Sequence, residues 1–273
     1  MYKSLIFILL IVVLSGCSLD SSKQFESTKK NLPDVFGAEL NNLSYMEFAN
    51  QNGFYQIDFM SVIDVTEFQR IEIEFEKGSF DYTVELSLSE CAIEDYNKYI
   101  LEIMAENLIF EENVIEVEKI CIYLDDKSDV IELIPQKFTI GVINEEWEHD
   151  SWSYTNTPFS YPIEYDSFHF GMEVEKNIEI NKAIISNDSF VFVNESEFIN
   201  AKWGVLDSSF DIEFRIKETE LSKYTQYVTD VVIWYDVDGE TYSKTAMAPI
   251  TYNPFTGYDD LFEMYYNEVI LNQ

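Results

Sequence analysis

Two short acidic runs and one cluster of aromatic residues are where side-chain type and spacing in this chain could do chemistry. Asp236-Val237-Asp238-Gly239-Glu240 offers three carboxylates within one short segment, the donors that hard cations such as calcium take. An EF-hand loop needs its glycine at the sixth position, whereas Gly239 falls at the fourth. Asp238-Gly239 between apolar runs is a two-residue hairpin signal, which explains these residues better. Asp125, Asp126 and Asp129 form a second candidate calcium loop, again without a full ligand set. The third place is aromatic. Trp147, Trp152, Tyr154, Phe159, Tyr161 and Tyr165 crowd a stretch shared with Glu145, Glu146, Glu148 and Asp150. Rings beside acids suit sugar stacking or a cationic side chain held by cation–π contact. Trp147, Trp152, Tyr154 and Tyr161 are the binding candidates. The alternative is that these rings glue two domains together.

Catalysis finds little support. The two histidines are His149 and His169, and HExxH, GxSxG, a Walker-A loop and GxGxxG are all missing from the sequence. A carboxylate pair of the glycosidase kind has many candidates among 51 acidic residues, and nothing in the sequence locates one. The expectation is a non-catalytic chain. Cys91 and Cys121 lie 30 residues apart, outside any CxxC pair. They either form one disulfide, worth roughly 3–4 kcal/mol in the loop-entropy model, or stay free as small apolar side chains.

The N-terminus carries a different chemistry. Lys3 is the only charge before the apolar run Leu5–Leu14, and Ser15-Gly16-Cys17 follow. A positive start, a short apolar segment and small residues make a secretory signal. Ten residues are too few to span a bilayer, which takes roughly 18 or more. Leu14-Ser15-Gly16-Cys17 resembles the lipobox of bacterial lipoproteins. That resemblance covers only residues 1–17. It implies removal of residues 1–16, a diacylglyceryl group on the Cys17 sulfur, and anchorage to the extracytoplasmic face of a bacterial membrane. Two acyl chains hold a protein stably, since each buried methylene contributes about 0.8 kcal/mol. Residues 17–33 are mostly polar and read as a flexible tether.

Charge sets the partner class. Lys and Arg total 17 against 51 Asp and Glu, a net charge of −34. Nucleic acid is excluded, because phosphate contacts need basic patches. Anionic headgroups repel such a surface, while cations and basic peptides are drawn to it. The simpler alternative is that the acids occupy solvated strand faces.

The elements that must position these residues are mainly strands. Tyr (18) and Phe (21) are plentiful, Gly (9) and Pro (6) scarce, a bias toward sheet. Phe36, Leu40, Leu43 and Met46 are spaced for one helix face after Asp34. Ile71–Glu76 and Tyr82–Ser89 alternate on either side of Lys77-Gly78-Ser79, which predicts a hairpin. Residues 93–107 fit helix or strand, with strand favoured at the C-terminal half. Strands follow over 114–124, 130–134 and 138–143, and residues 144–167 break the pattern. Alternation resumes at Phe168, and Val231–Tyr235 reads as a central strand. Leu261, Phe262, Tyr265, Tyr266 and Val269 predict a C-terminal helix.

The expected fold is two Ig-like antiparallel β-sandwich domains with short N- and C-terminal helices. The first covers 34–145 and the second 168–273, with 146–167 as an aromatic and acidic connection. The expected function is a lipid-anchored, non-catalytic ectodomain that binds or scaffolds envelope proteins, without a cofactor. Sequestration of calcium or cationic peptides is the alternative, and an envelope carbohydrate hydrolase the second alternative.

Overall fold

In a computed structural model of the chain, the described residues are 32–49, 51–106, 114–124, 129–143, 152–154, 161–162, 167–174, 176–204, 209–251 and 261–273. The first half supplies β1 (Val35–Phe36), β2 (Asn41–Phe48), β3 (Gly53–Ser61), β4 (Arg70–Lys77) and β5 (Asp81–Ser89). It continues with β6 (Asn97–Glu106), β7 (Val114–Tyr123), β8 (Val130–Leu133) and β9 (Lys137–Ile143). The second half opens with β10 (Trp152–Tyr154), β11 (Tyr161–Pro162), β12 (Phe168–Val174), β13 (Ile178–Ile185) and β14 (Phe190–Phe192). Helix α1 (Glu195–Phe198) precedes β15 (Lys202–Trp203), β16 (Ser209–Ile216), β17 (Gln226–Val237) and β18 (Glu240–Thr251), and α2 (Leu261–Glu268) ends the series.

The chain is a mainly β assembly of largely antiparallel sheets packed as sandwiches. One sheet runs β1-β3-β6-β5 and another β10-β12-β16-β14. Opposite both lies a ten-stranded sheet, β11-β18-β17-β2-β9-β7-β4, to which β8, β13 and β15 add. Alternation along the strands fills two cores. Tyr55, Ile57, Phe59, Leu101 and Ile103 meet Leu43, Ile120, Phe138 and Ile140 in the first. Phe168, Met172, Ile212 and Phe214 meet Ile180, Val231, Ile233 and Tyr235 in the second. The run Val231–Tyr235 is buried on both faces, because Val232 and Trp234 enter a separate cluster with Phe48 and Ile143. That is the environment a continuous apolar strand requires.

The two halves share one sheet. β2 runs parallel to β17 through Asn41–Leu43 and parallel to β9 through Asn42–Phe48. Asp34–Gln273 is accordingly one compact unit, and the sandwiches are not purely antiparallel.

Several sequence expectations are corrected. The N-terminal helix shrinks to a single 3-10 turn, Ala38–Leu40, and Leu43 and Met46 lie in β2. Pairing on both sides of β2 outweighs local helical spacing. Asn41 closes the turn, its Nδ2 donating to Gly37 O and Ala38 O, both at 3.0 Å. Gly37 has φ +101°, and a Cβ there would lie 2.4 Å from the Phe262 ring, so the turn and α2 fit together only with glycine. The 71–88 hairpin does not form. β4 pairs with β7 and β5 with β6, so the strands enter opposite sheets and face each other across the first core. The connection at 146–167 contains two edge strands where it is described, β10 beside β12 and β11 parallel to β18.

The strand reading of the 93–107 segment holds as β6, and Asp238-Gly239 forms the β17–β18 hairpin with φ of 53° and 92°. Two consecutive positive φ values mark a type I′ turn. Helix α2 covers the outer face of the first sheet, where Phe262 and Met264 pack with Phe36, Met60 and Tyr96.

Candidate binding cleft

The β17–β18 turn brings Asp236 and Asp238 to a cleft of about 500 Å³ at the end of the ten-stranded sheet. Strand pairing builds it. β15 sets Lys202 beside Glu179 and Trp203 beside Ile178, while β17 sets Asp236 on the other side of Glu179. Lys202 Nζ lies 3.2 Å from Glu179 Oε2. Asp236 Oδ1 accepts a hydrogen bond from Thr241 Oγ1 at 2.6 Å. Three carboxylates therefore line the cleft against one ammonium, and Asp238 is exposed. Gly204 lets the walls approach, since a Cβ there would stand 2.8 Å from Asn177 Oδ1.

Trp203 is the aromatic wall. Its ring stacks on Phe210 at 4.7 Å between centroids with an interplanar angle of 27°. Beyond the stack lies a second cleft of about 280 Å³, with Glu197, Asp211 and Glu213 in its lining. Trp203 Nε1 is buried and has no hydrogen-bond partner among the described residues. Such a donor costs on the order of 1–3 kcal/mol while unpaired. An indole between two acidic clefts is suited to a cationic or polyhydroxylated ligand.

The other candidates do not converge here. Asp129 sits at the β7–β8 turn, where its carbonyl accepts from Leu124 N at 3.0 Å. Asp125, Asp126, Trp147 and Cys17 lie outside the described residues. Trp152 and Tyr154 are in β10 and Tyr161 is in β11, on different sheets. Among the described residues no group of three or more acidic, histidine or cysteine side chains is arranged to hold a metal.

The disulfide between Cys91 and Cys121 is not formed. Cys91 Sγ accepts from Ile93 N at 3.3 Å, whereas Cys121, in β7, turns to Glu74 Oε1 on β4 at 3.5 Å. Burial, with Glu74 adding to it, pushes the Cys121 thiol up to about 11.

A second pair of acids, Asp230 buried and Glu47 half-buried, lies in the seam between the halves. Asp230 is 5% exposed, and its Oδ2 accepts from Met46 N at 2.6 Å. Burial pushes its carboxyl well above the ordinary range, and Glu47 adds to the rise. Burial pushes Glu47 up to about 7 and raises Tyr45 and Tyr55 as well. Around them the seam is closed by polar pairs. Ser44 and Ser186 exchange hydroxyl-to-carbonyl bonds at 2.7 and 2.6 Å. Asn187 Nδ2 donates to Asn42 Oδ1 at 2.9 Å and to Val228 O at 3.2 Å, and its Oδ1 accepts from Ser189 N at 3.1 Å. This network joins β2, β13 and β17 and has the character of a structural joint.

Sequence reasoning missed Glu179, Lys202 and Trp203. No local pattern marks them, because only the β13–β15–β17 register unites them. Asp230 did carry a signal, being an acid at the head of an apolar run.

No protein-family model and no curated protein matches the chain. Solved structures resemble it only distantly. "Rst D1-D2" is 8% identical over 81% of this chain and all of that one, with a TM-score of 0.23. A chicken TCR is 7% identical over 76% of this chain and 96% of its own, with a TM-score of 0.20. Parabacteroides merdae β-glucuronidase is 10% identical, matching 78% of this chain but 24% of its own length, with a TM-score of 0.20. Likeness of this degree carries no argument about activity.

Proposed function

We propose that this chain is a lipid-anchored, non-catalytic binding protein on the extracytoplasmic face of a bacterial membrane, and that its Trp203 cleft takes a cationic ligand. Leu14-Ser15-Gly16-Cys17 supports the anchor and polar residues 17–33 the tether. The observation that carries the ligand class is the cleft itself, where Glu179, Asp236 and Asp238 outnumber Lys202 beside an indole. A cationic side chain meets there both carboxylate oxygens and a π face.

Titration of trilysine into the full chain in detergent, followed by calorimetry, tests the ligand class. Saturable binding that is lost in Trp203→Phe supports it, and binding unchanged in that variant contradicts it. Replacing Cys17 with Ser tests the anchor, which predicts release of the protein from the membrane fraction.

The net charge of −34 favours a second reading, capture of calcium or cationic peptides by the acidic field as a whole. Salt separates the two. Field capture weakens steeply between low and physiological ionic strength, whereas a shaped cleft keeps most of its affinity.

A further inference from the structure

We infer that strand β5 is a docking edge that takes an extended basic segment of a partner protein by strand addition. The edge belongs to the first sandwich, remote in the fold's topology from the Trp203 cleft, and the inference does not depend on that cleft.

β5 ends its sheet, paired with β6 on one side and with no other strand among the described residues. Its nine residues keep an unbroken register from Asp81↔Glu106 to Ser89↔Lys98, with no bulge. Open edges of this kind are templates for another chain unless something blunts them.

The neighbouring edge is blunted. β4 has register shifts at Glu74/Phe75 and Phe75/Lys77. Its Ile73 N–H donates to Tyr82 Oη at 2.9 Å, so the edge amide is already occupied by a side chain from β5. β5 has no such device. The side chains it turns toward the core, Tyr82, Val84 and Leu86, remain half-buried, and Leu88 is 58% exposed. An added strand would cover this apolar row with its own inward side chains.

Charge selects the occupant. Asp81 faces Glu106 and Glu85 faces Glu102 across the β5–β6 pair. Like charges directly opposite each other are destabilising, and no described basic side chain forms an ion pair with any of the four. A second copy of the chain would bring Asp81 and Glu85 against their own equivalents, adding repulsion at a net charge of −34. A strand with basic residues on its outward face relieves it instead. Its cations should stand four residues apart, about 13 Å, to match Asp81 and Glu85.

The test uses a nine-residue peptide of alternating Lys and Val, titrated into the full chain in detergent by calorimetry, with hydrogen exchange as the locator. Strand addition predicts binding with slowed exchange at residues 81–89. It also predicts at least tenfold weaker binding of a copy N-methylated at alternate residues, which keeps the charge but loses one hydrogen-bonding edge. Asp81→Lys/Glu85→Lys should remove the protection at residues 81–89, the signal that separates this edge from the Trp203 cleft. Equal protection of residues 81–89 by the N-methylated copy, undiminished protection there in the double variant, or protection confined to other strands would overturn the inference. The N-methylated copy is read on the unaltered protein, so the outcome does not hinge on a variant's folding.

Discussion

The seam between the halves and the rim of the Trp203 cleft are both acidic, yet they put carboxylates to opposite uses. In the seam Asp230 is withdrawn from water and Glu47 is half-buried, no described cation pairs with them, and burial drives both toward the protonated form. At the cleft Glu179, Asp236 and Asp238 keep contact with solvent, and Glu179 has a lysine partner. The comparison teaches that a net charge of −34 is not one property. Asp230 at the seam joins β17 to β2, whereas the acids at the rim stay in contact with solvent.

The strongest way to break this contrast is to cut the seam. Asn187 is fully buried and makes bonds to Asn42, Val228 and Ser189. Asn187→Ala should cost about 4 kcal/mol in urea unfolding, because several buried groups lose their partners at once. A loss below about 1 kcal/mol would mean that the seam does not hold the halves together.

Glu47 sharpens the contrast through pH. Its folded value of about 7 lies above the 4.5 of a free glutamate, so folding favours the protonated form. The stability from this group is present in full below about pH 4.5 and is lost as pH rises to about 7. Glu47→Gln should therefore match the unaltered protein at pH 4 and exceed it by up to about 3 kcal/mol at pH 8. Parallel stability curves for the two proteins would refute burial as the cause of the shift.

Trp203→Phe removes an unpaired buried donor while giving up some ring area, so stability should move by no more than about 1 kcal/mol. A larger loss in chemical denaturation would make Trp203 a core residue first and a cleft wall second. The smallest effect belongs to β5. Asp81→Lys/Glu85→Lys turns two like-charged cross-strand pairs into opposite ones and should raise stability slightly, by about 0.3 kcal/mol per pair.

Strong local periodicity was legible in the sequence. The run Val231–Tyr235, the Asp238-Gly239 turn and the spacing of Leu261, Phe262, Tyr265 and Tyr266 all yielded the elements expected of them. Long-range pairing was not legible. Phe36, Leu40, Leu43 and Met46 satisfy a helix face, but β2 is captured between β17 and β9. β4 and β5 alternate as hairpin strands do, and only the enclosed core decides that they belong to opposite sheets. The cleft failed to appear for the same reason. Of its acids, Asp236 and Asp238 stand in a recognisable turn, whereas Glu179 and Trp203 reach it through register alone. Exposed acids at a turn attract notice, and a lone tryptophan on a two-residue strand does not.

The most direct test of the contrast is calorimetric titration of trilysine into three proteins: the unaltered chain, Asp236→Asn/Asp238→Asn, and Glu47→Gln. Asparagine keeps the shape of both cleft side chains and tolerates the positive φ of residue 238. The account predicts at least tenfold weaker binding for the cleft variant with an unchanged melting midpoint, and unchanged binding for Glu47→Gln with an altered pH profile of stability. Equal affinity across all three proteins would contradict it.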